Sequence, residues 1–236
     1  MQRYFASVNN TNIILSKDDS FHLTKVMRAK LGEEIVAIDN GELYLGEVIS
    51  LNPLVIKNKG IYEEESRELE VDTTLFFALA KGDKIDFVIQ KATELGVKHI
   101  ILIKTERCVV KISQDDFNRK LSRYTMIAKE ASEQCERRYI PTLSYLDNIK
   151  NIPSSYLADI NFVAYEENAF NKVNFSECKS KKSVSLLIGP EGGLSENEIA
   201  TLEKQGFKRV SLGKRILRTE TAAVVGLAMI NMEIEK

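Results

Sequence analysis

The sequence is poor in the side chains that bind metals. It has two histidines, His22 and His99, and three cysteines, Cys108, Cys135 and Cys178. No two cysteines form a Cys-x-x-Cys pair and neither histidine lies near a cysteine, so no metal site is expected. An odd number of scattered cysteines without an export signal points to free thiols in a reducing compartment. No apolar run approaches the roughly 18 residues of a membrane span. The first residues, MQRYFASVNNTNIILS, lack the apolar core and cleavage site of a signal peptide, so the expected location is cytoplasmic. Neither sign of charge is in excess: 33 Lys+Arg against 34 Asp+Glu leave a net charge of -1. That excludes a basic face spread over the whole molecule. There is no internal repeat or low-complexity tract, and neither Gly-x-Gly-x-x-Gly nor Gly-Lys-Ser/Thr occurs.

What is present suits a globular chain of one large or two modest domains. The 236 residues are 44% hydrophobic and 28% charged, enough for a sizeable core. Residues 1–70 hold 8 basic and 12 acidic side chains, and the remainder 25 and 22. Short candidate strands fall at Tyr4–Val8, Ile13–Leu15, Ile35–Ile38, Leu43–Leu51 and Leu54–Lys57, with an Asn40-Gly41 hairpin turn. A short helix over Asp19–Arg28 would turn Phe21, Leu23 and Val26 inward. This pattern suggests a small β-barrel over 1–70. The acidic run Ile61–Glu70 reads as a solvated linker.

From Val71 strands and helices alternate. LFFALA (Leu75–Ala80) and HIILI (His99–Ile103) are buried-type strands, and Asp83 is placed to cap the helix between them. An amphipathic helix runs from Phe117 to about Ser132. Ile160–Tyr165 and Val184–Ile188 are further strands, and Ser176–Ser183 reads as a mobile polar loop. The alternation predicts an α/β domain over 71–236 with a mainly parallel sheet, whose ligands sit beyond the strand C-terminal ends.

Two strand-to-helix turns fall at such ends. Gly189-Pro190-Glu191-Gly192-Gly193 follows the apolar run ending at Ile188 and precedes a helix marked by the Ser195/Glu198 capping box, with Leu194 and Ile199 at the staple positions. Leu212-Gly213-Lys214-Arg215-Ile216-Leu217-Arg218-Thr219-Glu220-Thr221 follows the strand Phe207–Leu212. The helix after it, from about Thr221 to Met232, is almost continuously apolar, which predicts burial on most sides.

GPEGGLS followed by SLGKRILRTETA closely resembles the SPOUT methyltransferases, in the branch that methylates nitrogen 3 of a uridine in 16S ribosomal RNA. KGDKIDFVIQKATELGV, Glu106-Arg107-Cys108-Val109-Val110 and EASEQCERRYIP match the same family, and HLTKVMR resembles its N-terminal PUA-like RNA-binding module. The resemblance implies a trefoil-knotted C-terminal domain, S-adenosylmethionine as cofactor, a homodimer, and the small ribosomal subunit as partner. It places the cofactor at Leu187, Ile188, Gly189, Gly193, Leu212, Gly213, Ile216 and Leu217. It places RNA near Arg28, Lys91, Arg107, Arg137 and Arg138.

Methylating an imide nitrogen requires loss of its proton. Glu191 and Glu220 are the candidate acceptors. Arg218, which stays protonated, is the candidate stabiliser of the resulting anion. Two other readings compete: a phosphate- or nucleotide-binding α/β enzyme with GPEGGLS as anion turn, and a non-catalytic RNA-binding assembly factor. Glu191 inside the loop argues against the first, and the intact RILRTETA run against the second.

Overall fold

The computed structural model describes residues 1–165 and 175–236. The chain divides into two compact units. One comprises Met1–Glu68 with Ser132–Tyr139, the other Leu69–Ala131 with Ile140–Lys236.

The first unit is a six-stranded sheet with one short helix. Its strands are β1 (Gln2–Phe5), β2 (Ser7–Val8), β3 (Asn12–Ile14), β4 (Glu34–Asp39), β5 (Glu42–Leu51) and β6 (Leu54–Ile61), in the order β1-β4-β5-β6-β3-β2. Ala6 alone separates β1 from β2, which stand at opposite ends of that order. The Ala6 N–H donates to the Ile38 carbonyl at 3.0 Å and the Val8 N–H to the Asp39 carboxylate at 2.9 Å, so the sheet closes towards a barrel. The β4–β5 hairpin turns at Asn40 (φ 49°) and Gly41 (φ 84°), the paired positive φ of a two-residue hairpin loop. Tyr4, Ile13, Leu23, Ile35, Val48 and Ile56 fill the interior.

The helix of this unit differs from expectation. It begins earlier, with α1 at Lys17–Phe21 capped by Ser16, and continues as a π-turn over His22–Val26. The wider turn swings Val26 away from Leu23, with which a 3.6-residue period would share a face, whereas Phe21, two residues before Leu23, faces the other way in an ordinary helix as well. Leu23 is buried as expected, but Phe21 and Val26 point to solvent. The acidic run after β6 also differs, because two of its carboxylates are engaged. Glu64 pairs with Arg3 and Arg67, and Glu68 with Arg137.

The second unit is a parallel six-stranded sheet in the order β12-β10-β11-β7-β8-β9. Its strands are β7 (Asp72–Ala78), β8 (His99–Ile103), β9 (Thr142–Leu146), β10 (Ile160–Ala164), β11 (Ser183–Ile188) and β12 (Phe207–Val210). They read as apolar runs because both sheet faces are covered. The helices are α2 (Lys84–Glu94), α3 (Gln114–Gln134), α4 (Glu196–Lys204) and α5 (Thr219–Ile234). Asp83 occupies the cap position of α2 without a side-chain hydrogen bond there. Residues Ser176–Ser180 form a 3-10 turn with Cys178 buried, and Lys208 pairs with Glu177, so this stretch is anchored rather than a loose loop.

Helix α5 buries one face: Ala223, Gly226, Leu227 and Ile230. Val224, Val225 and Ala228 are half-exposed, and Met232 is exposed. The expected burial on most sides is therefore not met within a single chain. The first three strands lead outward to β9 and the last three lie on the other side of β7. The order thus reverses between β7 and β11, which is where parallel sheets place ligands.

Candidate active site

A cavity of about 450 Å³ opens beyond the C-terminal ends of β10, β11 and β12, within the range of small-molecule sites. Ala164 and Tyr165 come from β10 and the residue after it. Ile188, Gly189, Pro190, Glu191, Gly193 and Leu194 come from the first turn. Ser211 to Gly213 and Arg215 to Thr219 come from the second, with Ala222 from α5 and Lys84 from α2.

Local chemistry fixes both turns. The Gly193 N–H donates to the Pro190 carbonyl at 2.9 Å, and Gly193 adopts φ 68°. Gly213 adopts φ 110°, with its N–H donating to Ser211 Oγ at 3.1 Å. Both lie in the left-handed region that a side chain resists. The capping box forms: the Glu198 N–H donates to Ser195 Oγ at 3.2 Å and the Ser195 N–H to Glu198 Oε2 at 2.9 Å. Leu194 and Ile199 are both buried. One bond joins the two turns: Thr219 Oγ1 donates to the Gly189 carbonyl at 2.7 Å.

A second strap holds the first turn. The loop after β8 places Arg107 Nη1 at 3.1 Å from the Gly192 carbonyl, to which it donates. The Glu106 N–H donates to Glu198 Oε1 at 2.8 Å, and Ser195 Oγ donates to Glu106 Oε2 at 2.7 Å. The buried Glu198 carboxylate thus accepts from two loops at once.

The charges at the cavity are organised by Lys84. Its ammonium lies 2.9 Å from Glu191 and 3.3 Å from Glu220. The Glu191 hydrogen bond is the main influence that raises the lysine pKa, with a contribution from Glu220 and burial opposing. For Glu191 burial acts upward, but the hydrogen bonds from Lys84 and from backbone N–H groups prevail and hold it below the ordinary carboxylate value. Glu220 lies in the first turn of α5, where the helix dipole favours an anion. Arg218 is the N-cap residue of that helix and lines the cavity.

The family models match in both units. One described as an RNA methyltransferase domain covers residues 67–231, and one described as an RNA methyltransferase PUA domain covers residues 15–56. A ribosomal RNA small subunit methyltransferase E from Bacillus subtilis (strain 168) is 32% identical over 100% of this chain and 98% of its own length. The chain belongs to the ribosomal RNA small subunit methyltransferase E family. The family member from Neisseria gonorrhoeae, solved bound to S-adenosyl methionine, has a TM-score of 0.80 at 27% identity, covering 98% of this chain and 97% of that one. A methyltransferase structure from Legionella pneumophila with the bound cofactor SAM gives 0.87 at 28% identity, covering 98% and 96%.

Seven of the eight residues that the family resemblance assigns to the cofactor line the cavity: Ile188, Gly189, Gly193, Leu212, Gly213, Ile216 and Leu217. Leu187 does not. It is a fully buried core residue, because side chains alternate along β11. Glu191 and Arg218 also line the cavity, and Glu220 reaches it only through Lys84. Ile216 is 82% exposed at the rim.

The RNA-side residues fare differently. Arg28 is exposed with φ 54°. Lys91 pairs with Glu94 at 2.8 Å, and Arg107 is the strap residue already described. Arg137 is 3% exposed, with its guanidinium donating to Glu68 at 2.8 and 3.1 Å, so it is a structural strut of the first unit rather than a free phosphate ligand. The Arg138 N–H donates to the same carboxylate at 2.8 Å, and its guanidinium to the Glu64 carbonyl. Sequence reading did not single out Lys84, Tyr165 or Thr219. Lys84 was accessible to it, because the turn after β7 opens on the same sheet edge as the two glycine turns.

Proposed function

We propose that this chain transfers a methyl group from S-adenosylmethionine to nitrogen 3 of a uridine in 16S ribosomal RNA. It acts in the cytoplasm, as a homodimer, on an assembled or nearly assembled small subunit. The observation that carries the proposal is the cavity built from two glycine turns pinned together by Thr219. Its walls suit the group: Ile188, Leu212 and Leu217 offer apolar faces for a heteroaromatic ring, and Glu191 offers an anion to a cationic sulfonium. Gly189, Gly193 and Gly213 leave the backbone open to close approach, with Ile216 at the rim. When bound, the cofactor supplies an electrophilic methyl group.

The chain supplies position and proton management. Arg218, which remains charged and lines the cavity, we assign to stabilising the uracil anion at its flanking carbonyls. To Glu191, paired with Lys84 and held below its ordinary value, we assign the countercharge to the sulfonium, and Glu220, which meets the cavity through the shared Lys84 ammonium, is the remaining candidate for the proton. The half-exposed apolar side of α5 is the face we assign to the second copy. The resemblance to SPOUT enzymes supports a trefoil knot around the two turns.

Calorimetry with S-adenosylhomocysteine on the wild type and Gly213→Val tests the cofactor site. Incubation of 30S subunits with labelled donor, read by reverse transcription, tests the target, because a methyl on the pairing edge stops the polymerase. Expected are binding lost in the variant and one new stop at a uridine. Absence of wild-type binding sinks the cofactor reading, and labelling without a stop moves the methyl to another atom.

A further inference from the structure

The loop between β8 and α3, residues 104–113, reaches the site from outside the cavity. Glu191 and Gly193 line that cavity, whereas Gly192, between them, does not, and neither does Arg107. Gly192 meets the loop instead. Its carbonyl accepts from Arg107 Nη1 at 3.1 Å. A methyl group added at Gly192 would stand 3.1 Å from Arg107 Cβ, tighter than an ordinary contact. Unlike Gly193, Gly192 is not in the left-handed region. The missing side chain therefore answers to the close approach of the loop and not to backbone strain.

The loop is braced at both ends. At its start the Cys108 N–H donates to the Thr105 carbonyl at 3.2 Å, with Cys108 buried. At its end the Tyr145 hydroxyl donates to the Ile112 carbonyl at 2.8 Å. Ser113 and Asp116 then cap α3 reciprocally: the Ser113 N–H donates to Asp116 Oδ2 at 3.0 Å and the Asp116 N–H to Ser113 Oγ at 3.2 Å. Through Glu106 the same loop holds Ser195 and Glu198, just beyond the turn. A braced loop bonded at these points fixes the peptide between Gly192 and Gly193. From the other side Lys84 holds the Glu191 carboxylate at 2.9 Å. Methyl transfer needs an in-line donor, and a remote displacement of about 1 Å can cost roughly 100-fold in rate.

We propose that Arg107 is a positioning residue for methyl transfer: it acts through the Gly192 carbonyl to hold Glu191 and Gly193 in place around the donor. The proposal rests on the RNA methyltransferase reading and adds to it a residue outside the cavity that sets donor affinity. Calorimetry with S-adenosylhomocysteine and steady-state methylation of 30S subunits test it, together with 30S binding over a potassium chloride series. Arg107→Met keeps the stem that packs on Gly192 and loses the donor group. It should raise the S-adenosylhomocysteine dissociation constant about 3- to 10-fold, the net worth of one hydrogen bond, and lower kcat, with KM for 30S subunits unchanged. Arg107→Lys retains an N–H donor and should recover most of the loss. Gly192→Ala pushes the loop away without touching the charge and should also weaken cofactor binding. Arg107→Gly in the same chain removes the Cβ that the new methyl meets, so the combined loss should be smaller than the product of the two single losses. Fully independent losses overturn the proposal. An unchanged cofactor dissociation constant in Arg107→Met also overturns it. A lower thermal midpoint alone then makes Arg107 a stabilising residue, and weaker, less salt-dependent 30S binding makes it a phosphate contact. Absence of cofactor binding by the wild type sinks the methyltransferase reading, and this proposal with it.

Discussion

Thr219→Val removes one hydroxyl and keeps the shape of the side chain. In the native protein that hydroxyl is buried and donates to the Gly189 carbonyl at 2.7 Å. It is the direct bond between the two turns that line the cavity. Valine leaves the carbonyl without its donor, and a lost hydrogen bond of this kind costs about 1–3 kcal/mol. Gly189 is only half-buried, so water can recover part of this, and about 1–2 kcal/mol is the working figure. That is roughly a 5- to 30-fold change in an equilibrium constant. If the turns separate in the free variant and must be brought back together by ligand, the loss appears in the dissociation constant for S-adenosylhomocysteine. A thermal midpoint lower by about 2–4 °C per kcal/mol reports any part that appears as stability instead. Calorimetry and thermal unfolding on the wild type, Thr219→Val and Thr219→Ser separate the two, and serine should restore both. A valine variant with unchanged affinity and unchanged midpoint would refute the idea that this bond holds the site together.

Lys84→Met removes the cation shared by Glu191 and Glu220. The Glu191 pKa should then rise, and affinity should shift towards the cationic donor relative to neutral S-adenosylhomocysteine; an unchanged ratio of the two dissociation constants counts against Glu191 as countercharge. Arg137→Met leaves the Glu68 carboxylate without its bidentate partner, so urea unfolding should show a loss of about 2–4 kcal/mol, a little under a fully buried broken pair. RNA affinity of the folded variant should be unchanged, and loss of RNA binding at full stability would return Arg137 to the phosphate contacts. Burial lowers the His99 pKa below 6.5, outweighing the nearby Asp72. Below pH 6.5 the unfolded chain therefore takes up the proton more readily than the folded one, and stability falls as pH drops through that value. His99→Gln should flatten the decline in thermal midpoint between pH 7.5 and 5.5, and an equally steep decline removes His99 as its source.

The features legible in the sequence are those whose partners are near in the chain. The parallel strands are short apolar runs. The Asn40-Gly41 hairpin needs only two residues of positive φ, and the Ser195/Glu198 capping box spans one helical turn. The structure adds bonds between positions far apart. Thr219 meets Gly189 across 30 residues, Glu106 meets Glu198 across 92, and Arg137 meets Glu68 across 69. No spacing rule reports such pairs, so an arginine near a presumed RNA cleft and an arginine braced by a distant glutamate look alike in sequence. Lys84 falls between the two cases: the sheet order that brings it to Glu191 is non-local, but the edge on which its turn opens follows from parallel strands alone.

Phe21 and Val26 depart from expectation for a different reason, because everything involved lies within the ten residues Lys17–Val26. A 3.6-residue period puts Val26 on the face of Leu23, but the π-turn over His22–Val26 turns it to solvent, and Phe21, two residues from the buried Leu23, lies on the opposite face in either geometry. Composition gave no warning, since a π-turn has no residue signature comparable to a glycine cap. Helix α5 misleads in the opposite sense. Its apolar run is real, but the single chain covers only the face carrying Ala223, Gly226, Leu227 and Ile230. An apolar stretch states how much surface avoids water, not which molecule covers it. The same physics therefore gives two different outcomes: the half-exposed middle of α5, at Val224, Val225 and Ala228, carries no charge, whereas the exposed apolar side chains Phe21 and Val26 alternate with the exposed cations Lys25 and Arg28.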